Sequence, residues 1–103
     1  MDMILVYTTF PDMKTAREIV RNLVKKRIVA CANLREHEAI YTENGKVKET
    51  REVGALLKTE VSRWKELKGE IQRLHPYETP LLLRIDVDRV NREYAEWMKR
   101  VLG

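Results

Sequence analysis

The chain lacks the residues that build several common kinds of site. It has one cysteine, Cys31, and four glycines that do not cluster. A lone cysteine can form neither an internal disulfide nor a paired-cysteine zinc site, so we expect a reducing, cytoplasmic environment. A glycine-rich phosphate loop and a strand-turn serine motif are also missing. These absences predict a protein that is not an enzyme.

The sequence has no long apolar run and no basic start leading into an apolar segment. It therefore predicts no membrane span and no secretory signal. The aromatic-rich strands of an RNA-recognition domain are missing, and the net charge of +4 arises from 20 basic and 16 acidic residues that are mixed along the chain. We expect no nucleic-acid partner. The charged fraction of 35% is typical of the surface ion-pair networks of thermostable proteins.

The apolar pattern predicts one domain, residues 1–103, of the α+β class. Strands are expected at about 3–9, 28–41, from a turn at 44–45 to about 59, and at 81–87 with one buried face. Helices are expected after the caps Asp12, Ser62 and Asn91. This order is that of the ferredoxin-like βαββαβ sandwich with an extra C-terminal helix. The sheet face away from the first two helices should be covered by the third helix or by other subunits.

The Asn44-Gly45 pair predicts a tight hairpin between the second and third strands, because a type I′ turn needs two positive φ angles. The tip of this hairpin is polar and extends past the expected core. A two-stranded ribbon is marginal alone in water, so it is predicted to pair with a neighbouring subunit. The alternative is a loop whose charges protect its edges.

Polar chemistry is concentrated at positions 75–80, His-Pro-Tyr-Glu-Thr-Pro. Proline restricts the residue before it, so the preceding helix must end near His75. This corner could be a binding site, or His75 could cap the helix while Glu78 pairs with Lys58 or an arginine. Cys31 and His75 could also form a nucleophile and base, but a cysteine between two alanines is typical of a buried small side chain.

Five segments together resemble the CutA family of divalent-cation tolerance proteins. They are the Thr-Thr-Phe-Pro-Asp run at 8–12, Ala-Cys-Ala-Asn at 30–33, Tyr41 with Gly-Lys-Val at 45–47, Leu-Leu-Lys-Thr at 56–59, and the corner at 75–80. The resemblance covers almost the whole chain. It implies a cytoplasmic homotrimer whose hairpins cross between subunits, similar in architecture to the PII signalling proteins, with a role in tolerance to copper and other divalent metals.

Carried onto this sequence, the resemblance implies a copper or other divalent-metal site of low to moderate affinity, with no obligatory cofactor. Its donors would be His75, Glu78 and Cys31, with His37 as a further imidazole, since thiolate and imidazole donors favour copper. A rival interpretation is a PII-like module that binds a small anionic metabolite in the clefts between subunits. Its ligand contacts would be Tyr77, Lys58 and Asn33.

The chain also departs from the family pattern near these residues. Glu43 stands where members commonly carry a tryptophan, Leu74 precedes His75 where some have a second histidine, and Thr8 replaces a cysteine. The first change removes an aromatic wall from the hairpin region. The other two remove groups that suit copper.

Overall fold

The computed structural model describes residues 2–103, and its secondary structure follows the predicted order. The elements are β1 (Met3–Phe10), α1 (Met13–Lys25), β2 (Cys31–Glu43), β3 (Lys46–Glu60), a 3-10 turn (Val61–Arg63), α2 (Trp64–Leu74), β4 (Leu83–Asp86) and α3 (Arg92–Leu102). The strands form one sheet in the order β2-β3-β1-β4, with antiparallel neighbours throughout. The predicted ferredoxin-like arrangement with a C-terminal helix is confirmed.

The helix starts are only partly as predicted. Asp12 caps α1, and its carboxylate accepts a hydrogen bond of 2.7 Å from the backbone N–H of Thr15. Asn91 occupies the cap position of α3. The predicted Ser62 cap is wrong: Ser62 lies inside the 3-10 turn, and its hydroxyl donates to the Glu60 carboxylate at 3.3 Å. Because the 3-10 turn comes first, α2 begins only at Trp64.

The two faces of the sheet are covered differently. Helices α1 and α2 cover one face, where alternate residues of β1 and β3 are fully buried against them. Helix α3 covers only one end of the other face, where Met98 and Leu102 pack with Met3 and Ala30. The rest of this second face, called here the open face, has no helix of residues 2–103 against it. Those helices are also too short or too polar to cross a membrane.

Strand β4 is shorter than predicted and its apolar face is not buried. Leu83 pairs with Tyr7 and Ile85 pairs with Leu5, which places both on the open face, where they are 47% and 46% exposed. Leu82, on the opposite side, packs against the main core. The predicted alternation is therefore correct, but the apolar residues at 83 and 85 need another partner to be covered.

The hairpin between β2 and β3 extends well beyond the core. Asn44 and Gly45 have φ angles of 53° and 75°, the positive values that a type I′ turn requires, so the predicted turn is confirmed. The described chain measures 46 Å along its long axis against 25 and 21 Å across it. Nearly all residues of the outer ribbon, 38–51, are exposed.

Candidate functional site

The corner at 75–80 forms as its prolines predict. Helix α2 ends at Leu74, and His75 has an extended backbone with φ −70° and ψ 135° because Pro76 follows it. The N–H of His75 still donates to the carbonyl of Ile71 at 2.8 Å, which closes the last helical turn. The chain therefore leaves the helix abruptly and carries the His75 and Tyr77 side chains toward the end of β1.

The His75 ring is held by the fold through both of its nitrogens. Its Nε2–H donates to the carbonyl of Thr9 at 2.6 Å, and its Nδ1 accepts from the backbone N–H of Tyr77 at 3.1 Å. These two contacts select the neutral tautomer with the proton on Nε2. The ring also stacks on Phe10 at 4.9 Å between centroids, and the residue is only 8% exposed. His75 therefore ties the corner to β1, and a metal ion can reach a ring nitrogen only by replacing a hydrogen bond.

The three predicted metal donors do not form one group around His75. Glu78 follows it in the same corner and is exposed. Cys31 lies at the far end of the sheet, opposite Lys58, which in turn faces Leu5. Leu5 is four residues from Thr9 along β1, a separation of about 13 Å. Within residues 2–103, no group of three or more His, Cys, Asp or Glu side chains is arranged to hold a metal ion.

The residues predicted to contact an anionic ligand are also separated. Lys58 lies with Cys31 beside α3, its ammonium 5.9 Å from the centroid of the Tyr94 ring. Burial and then the neighbouring Cys31 raise the pKa of the Tyr94 phenol. Asn33 lines a shallow groove of the open face with Arg35. Tyr77 lies at the opposite end, against His75, so the structure does not bring Lys58, Asn33 and Tyr77 around one ligand.

Tyr77 instead joins a polar cluster at the base of the hairpin. Its ring centroid is 4.8 Å from that of His75, and its phenol lies near the Glu52 carboxylate. Burial and then Glu52 raise the pKa of the Tyr77 phenol. Glu52 also contacts Nε2 of His37 at 3.1 Å, and the side chains of this pair are only 19% and 31% exposed. Glu52 therefore contacts the His37 imidazole and lies near the Tyr77 phenol.

The sequence interpretation did not include Glu52, although the hairpin contained a signal for it. His37 and Glu52 stand the same number of residues before Asn44 and after Gly45, so a tight turn makes them direct cross-strand partners. Alternation then places both on the open face. No such signal in the sequence indicates that Tyr77 lies near Glu52, because its position depends on the three-dimensional path of the corner at 75–80.

Gly54 makes room for Tyr7 beside this cluster. A Cβ at position 54 would lie 2.5 Å from Oη of Tyr7 and 3.0 Å from Cε1 of His37. The Tyr7 hydroxyl thus occupies the space that a side chain at 54 would need, and the edge of the His37 ring borders the same space. Glycine at this position lets side chains from β1 and β2 meet across β3.

These side chains surround an open cavity of about 810 Å³ between the corner and the base of the hairpin, called here the corner cavity. Its polar and aromatic lining comes from β1, β2, β3 and the corner: Tyr7, Thr9, His37, Tyr41, Thr50, Glu52, Tyr77 and Thr79. Ala39, Ile40 and Leu81 add an apolar part. Concave, partly apolar surfaces with a few convergent polar groups are typical of small-ligand sites.

Comparison with known proteins agrees with the resemblance in the sequence. The model of the family described as CutA1 divalent ion tolerance protein matches residues 4–101. The divalent-cation tolerance protein CutA of Thermococcus kodakarensis is 58% identical over 102 residues, which cover 99% of this chain and 98% of that protein. This identity extends along almost the full length of both proteins.

Solved structures of similar proteins share the fold. The crystal structure of CutA1 from Pyrococcus horikoshii superimposes with a TM-score of 0.91 at 53% identity, covering 95% of this chain and 96% of the other. A protein from Archaeoglobus fulgidus, described as the periplasmic divalent cation tolerance protein CutA, gives a TM-score of 0.92 at 25% identity, with 98% and 99% covered. The arrangement of sheet, hairpin and helices is thus found in proteins whose sequences differ widely.

Proposed function

The chain belongs to the CutA1 divalent ion tolerance protein family, a non-enzymatic family, and from this premise we propose that it acts in divalent-cation tolerance as a homotrimeric binding protein. The observation that carries the proposal is the uncovered part of the open face. Leu83 and Ile85 are each nearly half exposed there, and the hairpin extends beyond the core. No strand within residues 2–103 pairs with either edge of its outer part. In the described part of a single chain no further helix is available to cover this surface, whereas neighbouring copies can place their hairpins and sheets against it.

The proposed metal interaction is weak binding of copper or a similar divalent ion at the corner. His75 would supply Nδ1 and Glu78 a carboxylate oxygen. To bind there, the metal must replace the hydrogen bond from the Tyr77 N–H, which costs about 1 kcal/mol. Two donors with such a cost support low affinity rather than a tight, preformed centre. Cys31, at the other end of the sheet, is not part of this site.

A chelator-competed copper titration tests the metal interaction. The chain contains two histidines, so His75→Ala and His37→Ala together account for all imidazole ligation. We expect saturable binding that is lost in His75→Ala, weakened several-fold in Glu78→Gln, and unchanged in His37→Ala. His75→Ala also removes two hydrogen bonds and can impair folding. Glu78 is exposed, so Glu78→Gln should stay folded and tests metal binding independently. Binding that depends on His37, or no saturable binding, would contradict the proposed site.

We also propose a cytoplasmic location. The single cysteine supports it. Cys31 has no cysteine partner in the chain, and a cysteine without a disulfide partner is typical of the cytoplasm, where thiols stay reduced. The similar protein of Archaeoglobus fulgidus is described as periplasmic, so the compartment is best tested directly. Fractionation of cells that express the chain should place it in the cytoplasmic fraction, and recovery outside that fraction would contradict the proposal.

A further inference from the structure

Helix α1 carries a row of basic side chains on its outer side. All four members of this row are exposed, and they are called here the basic stripe: Lys14, Arg17, Arg21 and Lys25. Their spacing of three, four and four residues places them within about 80° of one another around the helix axis, along roughly 16 Å. The buried residues of α1 lie on its opposite side: Ala16, Ile19, Val20 and Leu23. The basic stripe therefore faces away from the sheet.

Association of copies through the open face leaves the basic stripe in solvent. Helices α1 and α2 cover the other face of the sheet, and the stripe lies on the side of α1 that is turned away from that core. Its exposure is therefore the same for a single chain and for the proposed homotrimer. The homotrimer would present three copies of the stripe on its outside.

The charges of the basic stripe are not balanced by the chain itself. Eight ion pairs form within residues 2–103, and none of them includes a residue of the stripe. The one acidic residue of α1, Glu18, forms no ion pair there either. The other helices differ, because Glu70 pairs with Arg73 in α2 and Arg92 pairs with Glu96 in α3. The unpaired charge is thus a feature of α1.

This arrangement works against the stability of α1. Arg21 stands four residues from both Arg17 and Lys25, a spacing at which like charges repel on a helix. Lys14 lies in the first turn, where the helix dipole disfavours a cation, and no acidic residue accompanies it in that turn. Positions that break such local rules without a gain inside the chain are commonly functional. A negatively charged partner would supply the gain.

The stripe fits an acidic protein segment better than a nucleic acid or a membrane. Helix α1 has no aromatic side chain to stack on bases, and its apolar side is buried in the core, so it cannot enter a bilayer. A continuous layer of phosphates would also meet the negative charge of Glu18 beside the stripe. A protein segment can place a neutral or basic residue there, and a helix repeats its carboxylates at the same axial interval as the stripe.

We propose that the basic stripe of α1 docks a helical segment of a partner protein whose Asp or Glu residues recur at the same spacing of three, four and four. This proposal goes beyond the role in divalent-cation tolerance and does not depend on copper binding at His75. It places the partner on the helical side of the sheet, away from the hairpin and from the surfaces through which copies associate.

The probe is an alanine-based helical peptide with four glutamates spaced three, four and four residues apart. Its control has the same composition, with the glutamates distributed around the helix. Each peptide is titrated at low ionic strength into isotopically labelled full-length protein in its native assembly, and the backbone amide shifts are followed by NMR. Four exposed charge pairs should give a dissociation constant of about 1 mM, with shifts centred on α1. The control peptide should bind at least about threefold more weakly.

Substitutions then locate the site. Lys14→Gln should weaken binding about threefold, and Arg17→Gln combined with Arg21→Gln about tenfold. Lys65→Gln is the matched control and should have no effect, since Lys14 and Lys65 are each the exposed second residue of a helix. Binding should weaken as salt is added. The double variant should resist guanidinium at least as well as the wild type, because it removes repulsion, whereas a structural role of these arginines would lower its resistance.

Three results would overturn the proposal. They are equal binding of the two peptides, shifts that leave α1 unaffected, and unchanged binding in the double variant. Duplex DNA and phosphatidylglycerol vesicles are titrated in parallel, and tighter binding of either one than of the glutamate peptide would contradict a protein partner. The amide spectrum shows that each variant is folded. Copper titration of the double variant should match the wild type, which keeps this test separate from that of the metal site.

Discussion

Replacing Gly54 by alanine should destabilise the protein, whereas the same replacement at Gly69 should stabilise it. At Gly54 the added Cβ would stand 2.5 Å from the Tyr7 hydroxyl and 3.1 Å from its Cε1, well inside the ordinary contact distance of 3.4–4 Å. At Gly69, within α2, it would meet nothing within 4 Å. The two positions thus receive the same methyl group in opposite surroundings.

The magnitudes follow from these distances. Relief of the contact at Gly54 needs a shift of the Tyr7 ring or of β3 by about 1 Å, and overpacking of this kind costs about 1–3 kcal/mol. We expect about 1–2 kcal/mol, because the hydroxyl is the far end of its side chain. Alanine at Gly69 should instead raise the free energy of unfolding by about 0.5–1 kcal/mol, since glycine inside a helix loses more backbone entropy on folding.

Guanidinium unfolding at one fixed protein concentration measures both variants, since association makes apparent stability depend on concentration. Tyr7→Phe removes the 2.5 Å contact, so Gly54→Ala should cost about 1 kcal/mol less in that background. The reasoning fails if Gly54→Ala is as stable as the wild type, or if its effect does not depend on the Tyr7 hydroxyl.

Three further predictions concern other parts of the molecule. Within residues 2–103 the buried hydroxyl of Thr8 has no hydrogen-bond partner, so Thr8→Val should raise the free energy of unfolding by about 1 kcal/mol in the same denaturation assay, and a loss of stability would contradict this. Lys26 and then Arg73 lower the pKa of Glu70 from 4.5 to about 2; because this pKa is lower in the folded state, the stabilisation is complete above about pH 4.5 and is lost as the pH falls toward 2. Glu70→Gln should therefore have a lower free energy of unfolding than the wild type at neutral pH, and this free energy should fall less between about pH 4.5 and 2. An unchanged pH dependence in this range would show that Glu70 does not cause the loss of stability in acid. Nitrogen NMR should find His75 as the neutral tautomer with its proton on Nε2, and a proton on Nδ1 instead would contradict the two hydrogen bonds assigned to the ring.

The fold could be predicted from the sequence where local chemistry decides the structure. Positive φ at Asn44 and Gly45, and the end of α2 before Pro76, follow from the residues themselves. The prediction of a Ser62 cap is wrong because a good cap residue can also lie inside a 3-10 turn. The apolar alternation of β4 identified a strand, but alternation does not say whether the apolar side meets the core of the same chain.

The candidate site was harder to predict because it depends on distances across the sheet. His75 and Cys31 both have suitable donor atoms, yet they lie near opposite ends of the sheet, which only the strand register reveals. Nε2 of His75 donates to the Thr9 carbonyl, which is distant in sequence, whereas Nδ1 accepts from the N–H of Tyr77, two residues along the chain. The pair of His37 and Glu52 was predictable from the turn, whereas the approach of Tyr77 to Glu52 was not.

The most direct test of the account is the mass of the native assembly, measured by sedimentation equilibrium. If other copies cover the open face, the wild type should sediment at about 37 kDa, three times the 12.2 kDa of one chain. Ile85→Glu, which places a charge on that face, should shift the mass toward that of a single chain. A wild-type mass of 12.2 kDa, with Leu83 and Ile85 left in water, would contradict the account.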